Sequence, residues 1–284
     1  MKTNPLISVV IPTYNRAYII RNAIDSVVAQ TYRNWELIIV DDGSSDDTKA
    51  VVESYDDLRI KYFYKENAGP CAARNYAIEH SKGLWITYVD SDDILFSHCF
   101  EVMLQRLEEN PDAVFAIPRG TRALDLYENG KLVQTVDDSD DMPRAFTIKD
   151  MFMRNARFAC LGFFHLRRVF EEGIKWDEKV ASMEDWEFMM SIGEKYPDNF
   201  LYVPELLYDY HQRFGGDGRC SGSSYGDWAD VFEYIYKKHK NDKMMEGQTW
   251  YPERVLKWRK RQREFEAGQR RAYKYHHFSG SRKS

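Results

Sequence analysis

The sequence contains no apolar run long enough to cross a membrane. A membrane-spanning helix needs about 18 or more consecutive apolar residues, whereas apolar segments here, such as Leu37–Val40, have the length of a strand. No long apolar segment stands before the first strand-like pattern, so we expect no signal peptide. These absences predict a cytoplasmic protein, either soluble or held peripherally at the inner face of a membrane.

Cysteine is scarce and unclustered. The chain of 284 residues has 4 cysteines and no Cys-X-X-Cys motif. These cysteines are Cys71, Cys99, Cys160 and Cys220. Their spacing shows no close pairing, and it predicts free thiols in a reducing compartment.

An excess of positive charge is also absent, because the formal net charge is -5. We therefore expect no nucleic acid among the partners of the chain. One segment departs from this balance, since Tyr251–Ser284 contains 11 Lys or Arg and 3 Glu. This tail predicts either an interfacial helix on an anionic membrane surface or a solvated helix that packs a few apolar residues on the body.

Apolar residues are plentiful, at 43% of the chain, and in the first hundred residues they follow two alternating periods. The predicted strands are 7–11, 36–40, 59–64 and 84–89, and the predicted helices are 17–30, 46–54, 69–77 and 96–107. This alternation predicts an α/β fold with a Rossmann-like, mostly parallel central sheet flanked by helices.

After about residue 118 the pattern changes. Asn129-Gly130 predicts a hairpin between 124 and 134, and a glycine-rich loop follows at 213–224. Further strands are predicted at 113–117, 161–166, 200–203 and 206–211, and further helices at 148–155, 183–192, 225–240 and 253–273. We expect three parts: a ligand-binding half at 1–118, a second half of the same domain at 119–225, and a helical, basic C-terminal extension at 226–284.

Polar clusters follow three of the predicted strands, at Thr13–Arg16, Asp41–Asp42 and Asp90–Asp92. In open α/β sheets, ligands bind beyond the carboxyl ends of the strands. Three clusters that are distant in the chain should therefore meet at one edge of the sheet.

The last cluster is the richest in charge, because three carboxylates stand within the four positions Asp90–Asp93. Close carboxylates disfavour each other's ionisation unless a cation lies between them. Hard oxygen ligands suit Mg²⁺ or Mn²⁺, which bind through one or two carboxylates and the phosphates of a substrate. The cluster predicts a metal–diphosphate enzyme, and the alternative is a cap for the next helix.

Four ordered segments, Ser8–Arg16, Trp35–Ser44, Asn67–Asn75 and Asp90–Asp92, resemble family-2 glycosyltransferases. The resemblance implies a GT-A fold, a nucleotide-diphosphate sugar donor, and Mn²⁺ or Mg²⁺. It further implies inversion at the anomeric carbon. We expect the donor to be a UDP-sugar and the acceptor a saccharide or lipid-linked saccharide of polysaccharide biosynthesis.

By resemblance, one set of side chains binds the donor and a second set holds the metal. The donor-binding set is Pro12, Thr13, Tyr14, Arg16, Asp41, Asp42, Asn67, Gly69, Arg74, Asp90 and Ser91. The metal ligands are Asp92, Asp90 and His211. Several alternatives stay open: an Asx turn at Asp41 or Asp42, solvated charges at Arg16 and Arg74, and a structural role for His211.

The resemblance also places a catalytic pair at Glu184 and Asp185. An acceptor hydroxyl must lose its proton as it attacks, and we expect Asp185 to take it as general base. Glu184 would orient Asp185 or bind the acceptor. The alternative is an acidic pair that favours a helix N-terminus. Trp176 and Trp186 are expected either to stack on an acceptor sugar or to lie in the core.

Two rival functions follow from the same residues. A sugar nucleotidyltransferase has a similar sheet but usually carries a glycine-rich, basic loop after the first strand. The corresponding segment here, Pro12–Arg16, contains no glycine. A non-catalytic nucleotide-sugar-binding or scaffolding protein would not need the intact carboxylate sets.

Overall fold

The computed structural model describes residues 4–128, 131–137, 147–148, 150, 161–180, 182–215, 225–241, 256 and 259–260. The strands are β1 Ile7–Thr13, β2 Trp35–Asp41, β3 Ile60–Tyr64, β4 Trp85–Tyr88, β5 Ile94–Leu95, β6 Phe115–Glu128, β7 Lys131–Asp137, β8 Phe164–Leu166 and β9 Phe200–Gly215. The helices are α1 Ile20–Val28, α2 Thr48–Glu53, α3 Pro70–Glu79, α4 Cys99–Glu109, α5 Arg168–Glu171, α6 Glu184–Lys195 and α7 Tyr225–His239.

The first four strands form a parallel sheet in the order β3-β2-β1-β4. Every residue of β1 and β2 is buried, as expected of strands with helices on both faces. The register pairs Thr13 with Asp41, and Val10 with Tyr88. The loops after these strands therefore leave the sheet at one edge, and the predicted α/β fold is confirmed.

The sheet continues through strands of mixed direction. β8 is antiparallel to β4 and β6, while β9 is parallel to β6 and antiparallel to β5. β6 and β7 pair antiparallel, so the hairpin predicted around Asn129-Gly130 is confirmed. The two strands predicted between 200 and 211 are one strand, with irregular register opposite Pro118–Thr121.

The structure does not support the capping alternative for the Asp90–Asp93 cluster. The next helix begins only at Cys99, and the short strand β5 intervenes. β5 has two residues and is held by pairing with Tyr208 and Asp209, far along the chain. No local pattern could therefore have indicated it.

Other predictions lie largely outside the described residues. These are the helices at 148–155 and 253–273, the loop at 213–224 and the basic tail. None of the helices in the described part of the chain combines the length and apolar character that a membrane span requires.

Two hydrophobic clusters fill the space on either side of the sheet. One contains Val10, Ala73 and Phe188 and joins α3, α6 and α7 to the sheet, while the other contains Val9 and Phe100 and joins α1 and α4. Neighbouring residues of β1 thus enter opposite clusters, as the alternation of side chains along a strand requires.

A buried hydrogen-bond chain crosses the first cluster. The Trp176 Nε1–H donates to the Tyr88 hydroxyl at 3.0 Å, and that hydroxyl donates to Nε2 of His165 at 2.7 Å. The Nδ1–H of His165 donates to the Leu166 carbonyl at 2.9 Å. Burial lowers the pKa of His165 to about 4, so the ring is neutral at physiological pH.

His165 should make folding stability depend on pH. Its pKa rises from about 4 in the folded chain to an ordinary value near 6.5 on unfolding. Protons therefore bind the unfolded chain first, and stability is lost as the pH falls through that interval. We expect His165→Gln to remove about 2 kcal/mol of the decrease in unfolding free energy between about pH 7.5 and about pH 5. Urea titrations of both proteins measure this, and an identical decrease in the variant would contradict it.

Candidate functional site

The loops after β1 and β2 are hydrogen-bonded to each other. Asn15 adopts a left-handed backbone with φ 52°, and its N–H donates to the Ser44 hydroxyl at 2.7 Å. The Ser45 N–H in turn donates to Oδ1 of Asn15 at 2.9 Å. Gly43 has φ 91° and lies against the backbone of Asn67, so a side chain there would be strained and crowded. The three loops at this edge therefore depend on one another.

Both carboxylate oxygens of Asp41 accept hydrogen bonds that stabilise the fold. Its Oδ1 accepts the Ser44 N–H at 2.7 Å, and its Oδ2 accepts the Tyr62 hydroxyl at 2.7 Å. Burial, followed by the Asp41 carboxylate, raises the pKa of Tyr62. Of the two interpretations of Asp41, the structure favours the turn.

Asp42 ties β2 to the loop that opens α3. Its Oδ1 accepts Lys65 Nζ at 2.6 Å and the Ala68 N–H at 3.0 Å, while its Oδ2 accepts the Gly69 N–H at 2.7 Å. The Asn67 amide donates to the Asp42 carbonyl at 2.8 Å. Gly69 has φ 93°, which a residue with a side chain adopts at a cost. Asn67 and Gly69 therefore shape this loop.

Arg74 joins the two ends of the site. Its side chain is 3% exposed and lies on α3. Nη2 donates to Oδ1 of Asp90 at 2.8 Å, and Nη1 donates to Oε1 of Glu184 at 3.2 Å. The guanidinium also stands over the ring of Trp176, at 4.5 Å from its centroid. The solvated alternative for Arg74 is therefore wrong.

The Asp90–Asp92 segment is partly open to solvent. The side chains of Asp90 and Asp92 are 34% and 22% exposed, whereas Ser91 is buried. Arg16 reaches Asp92 from the β1 loop, with Nη1 3.6 Å from Oδ2. Because Arg16 faces this carboxylate, it is not simply a solvated surface charge. Tyr14, on the same loop, is half exposed.

Glu184 and Asp185 open helix α6. The residue before them, Met183, has a left-handed backbone with φ 58°. The first turn of α6 is acidic, as the alternative interpretation expected, and Oδ1 of Asp185 accepts the Trp186 N–H at 2.7 Å. The same turn reaches the site, because Glu184 pairs with Arg74. Trp186 is 2% exposed, so it belongs to the core and cannot stack on a sugar.

Trp176 is likewise 2% exposed and lies under Arg74, so stacking on a sugar is excluded for this residue too. The core interpretation of both tryptophans holds. Trp176 nevertheless contributes to the site indirectly, because its ring supports the guanidinium that joins Asp90 to Glu184.

Tyr210 is a site residue that the sequence did not reveal. Burial raises its pKa well above the ordinary value, and the charges of Asp93, Asp185 and Asp90 raise it further. Carboxylates from two parts of the chain, the loop after β4 and the start of α6, thus act on one phenol. An aromatic residue in a strand pattern carries no chemical signature, so nothing in the sequence set Tyr210 apart.

His211 stands between two carboxylates. Nδ1 donates to Oδ2 of Asp125 at 2.8 Å, and Nε2 donates to Oδ2 of Asp209 at 3.1 Å. The hydrogen bond to Asp209 is the chief reason that the pKa of His211 rises to about 9. Both ring nitrogens face carboxylates, so the structure favours the structural interpretation. The His211 N–H also donates to Oδ1 of Asp93 at 3.2 Å, which makes buried Asp93 a supporting residue.

The metal prediction rests on Asp90 and Asp92. Within the described residues, no group of three His, Cys, Asp or Glu side chains is arranged to hold a metal ion. Two partly exposed carboxylates still fit Mg²⁺ or Mn²⁺, because these ions take one or two protein carboxylates and complete their shell with phosphates and water. The donor set therefore suits an ion that arrives with a diphosphate.

Thr13 and Pro12 lie at the end of β1, beside the carboxylate loops. Thr13 pairs with Asp41 and is 4% exposed, and Pro12 pairs with Val40. The Thr13 carbonyl accepts the Asp42 N–H at 2.8 Å, which ties the ends of β1 and β2 together.

Comparison with known proteins supports the resemblance. The family described as "Glycosyl transferase family 2" matches residues 8–174. "Glycosyltransferase GlyG" of Streptococcus pneumoniae is 39% identical over 259 residues, covering 85% of this chain and 82% of that one. A Campylobacter jejuni protein named "GalNAc(5)-diNAcBac-PP-undecaprenol beta-1,3-glucosyltransferase" is 39% identical over 115 residues, covering 39% of this chain and 37% of that one.

Several curated relatives are much longer than the match, since the chain spans 26% to 42% of their length. Among solved structures, S. aureus TarS residues 1–349 with UDP-GlcNAc has a TM-score of 0.68 at 20% identity, covering 88% of this chain and 72% of that one. This likeness confirms the GT-A fold. Because the family match includes the loops after β1, β2 and β4, the chain belongs to glycosyl transferase family 2.

Proposed function

We propose that the chain is an inverting, metal-dependent glycosyltransferase. It would move a sugar from a UDP-sugar to a hydroxyl of a saccharide or lipid-linked saccharide in polysaccharide biosynthesis. The observation that carries the proposal is the Arg74 bridge, because it joins Asp90, at the predicted diphosphate end, to Glu184, in the predicted catalytic pair. The donor and acceptor ends of a transfer site are thereby held at a set separation.

The contacts of Asp42 support uracil as the base. A carboxylate has about four lone-pair positions, and Asp42 already accepts Lys65, Ala68 and Gly69 within the described residues. About one position remains, which suits the single imide N–H of uracil. Guanine would present two neighbouring donors to the same carboxylate.

The proposed reaction is a single displacement. The acceptor oxygen attacks the anomeric carbon from the face opposite UDP, and the bond from that carbon to the diphosphate oxygen breaks with its electron pair on the leaving group. Asp185 takes the hydroxyl proton as general base. Glu184 is paired with Arg74, so its role is to orient the acceptor or Asp185 rather than to take the proton.

Asp90 and Asp92 would hold the divalent cation. When bound, Mn²⁺ or Mg²⁺ supplies positive charge against the leaving diphosphate. Arg74 orients Asp90, and Arg16 lies beside Asp92. His211 would support this loop, because its backbone N–H donates to the carboxylate of Asp93.

The acceptor and the location of the protein follow by analogy. The C. jejuni relative is named for an undecaprenol-linked acceptor, and an acceptor of that class would bring the enzyme to a membrane surface. Cytoplasmic location with peripheral attachment through the basic tail remains a prediction. The division into 1–118, 119–225 and 226–284 remains one too.

The donor base can be tested without an acceptor. We expect UDP with Mn²⁺ to raise the melting temperature, because a ligand at about 100 times its Kd adds about 2.7 kcal/mol to stability. GDP and CDP at equal concentration should give a smaller rise. Thermal-shift measurements decide this, and equal shifts for all three nucleotides would overturn the assignment of Asp42 to uracil.

The metal role can be tested by chelation. EDTA should abolish UDP release from the preferred UDP-sugar, and added Mn²⁺ should restore it. The UDP-dependent rise in melting temperature should disappear in EDTA as well, which gives a measurement independent of turnover. Undiminished activity in EDTA would exclude the metal.

The base is tested by Asp185→Asn, which keeps the shape and removes the proton acceptor. Turnover should fall by roughly 10²- to 10⁴-fold, while UDP still raises the melting temperature. The control is Asp198→Asn, which alters an exposed carboxylate after α6 and should stay within about twofold of wild type. Wild-type turnover in Asp185→Asn would refute the assignment.

A further inference from the structure

Helix α7 is joined to α6 by buried charges. The side chains of His239 and Glu187 are both fully buried. Nε2 of His239 donates to Oε1 of Glu187 at 3.2 Å, and Nδ1 donates to Oε1 of Glu194 at 2.6 Å. The last residue of α7 is therefore bonded to two residues of α6 that stand about two helical turns apart.

Lys238 extends this network to a second element. Its Nζ lies 2.6 Å from Oε1 of Glu187 and 2.8 Å from Oδ2 of Asp177. The Tyr234 hydroxyl, one turn earlier on α7, donates to the same Asp177 oxygen at 2.7 Å. One lysine thus connects α6 to the segment that precedes it by several residues.

Both anchored elements support the Arg74 bridge. Asp177 directly follows Trp176, whose ring carries the guanidinium of Arg74. Glu187 stands one helical turn after Glu184, which accepts a hydrogen bond from Arg74. The end of α7 therefore holds the two pieces of chain that fix this arginine from the acceptor side.

The contacts within the network favour the charged forms of Glu187 and His239. Burial alone would raise the pKa of Glu187, but hydrogen bonds from His239 and Lys238 outweigh burial and lower it. Burial would lower the pKa of His239, and its bonds to Glu187 and Glu194 outweigh that effect and raise it. Glu187 is therefore favoured in its ionised form, beside Lys238 and His239.

Such an arrangement is not needed merely to attach the helix. Apolar contact already joins α7 to α6, since Phe232 meets Trp186 edge-on at 5.6 Å. Buried ion pairs add little net stability compared with apolar packing. They do require one relative placement of their elements, because a shift would leave a buried charge unpaired at a cost of several kcal/mol.

We propose that Lys238 and His239 are positioning residues for glycosyl transfer, acting through Glu187 and Asp177 on the Glu184–Asp185 pair and on Trp176. The proposal rests on the proposed function of that pair. All of the charged residues in the network lie beyond residue 174, where the family match ends.

The main test compares two neighbouring lysines. Lys238→Met removes the cation that pairs with buried Glu187, and Lys237→Met removes an exposed neighbouring cation that pairs with Glu233 of its own helix. We expect kcat of Lys238→Met to fall about tenfold or more, because small misplacements of catalytic groups are costly, with the KM for donor little changed. Lys237→Met should stay within about twofold of wild type.

Two further variants separate positioning from folding. Lys238→Arg keeps the charge and should recover most of kcat. Asp177→Asn removes one partner of Lys238 and should lower kcat in the same direction, even if Lys238→Met does not fold. Assays run well below each melting temperature. Normal kcat in Lys238→Met, or in Asp177→Asn where Lys238→Met is unfolded, would overturn the proposal.

Amide hydrogen exchange gives a readout that does not depend on turnover. Exchange at residues 184–187 and 176–178 should be faster in Lys238→Met than in wild type, and unchanged in Lys237→Met. If the wild-type protein transfers no sugar but shows this pattern, the proposed function fails while the physical coupling stands. Unchanged exchange at both segments would refute the coupling itself.

Discussion

A buried guanidinium at Arg74 is the constraint around which the site is built. A charge taken out of water costs several kcal/mol unless it is paired and hydrogen-bonded. The partners of Arg74 lie 16 and 110 residues away along the chain, so folding must bring β4 and α6 to the same helix face. The predicted diphosphate end and the predicted acid pair therefore cannot be placed independently. Trp176 adds a third side to this enclosure, since its ring covers the guanidinium.

Local pattern predicted most of the parallel half of the sheet, because β1, β2 and β4 are apolar segments closed by polar residues. It also placed Arg16, Asp42 and Asp90 at one edge, by the rule that strand ends converge. Arg74 and the α6 acids were identified through the family resemblance. Local pattern could not find the contacts made between distant residues. β5 exists through pairing with β9, and Lys238 meets Glu187 across 51 positions. Neither contact can be recognised from the hydrophobic periodicity of the sequence.

The structure also distinguishes, by their partners and exposure, aspartates that look equivalent in the sequence. Asp41 and Asp42 each accept several hydrogen bonds from neighbouring loops, and Asp93 accepts the His211 N–H. Asp90 and Asp92 instead face arginines and remain partly exposed. The backbone N–H groups that bind Asp42 and Asp93 come from later parts of the chain. Sequence motifs identify such a cluster but do not show which role each of its carboxylates has.

The interlocked loops after β1 and β2 have a consequence for how a ligand would be received. Asn15, Ser44 and Ser45 already satisfy one another, so these backbones are ordered before anything arrives. Ordering flexible loops consumes part of the free energy of association. In this protein the loops are already ordered, so only the incoming molecule would lose conformational freedom on binding. A one-residue insertion in either loop would break the mutual fit, so diversification of this edge should proceed by exchanging side chains rather than by changing loop length.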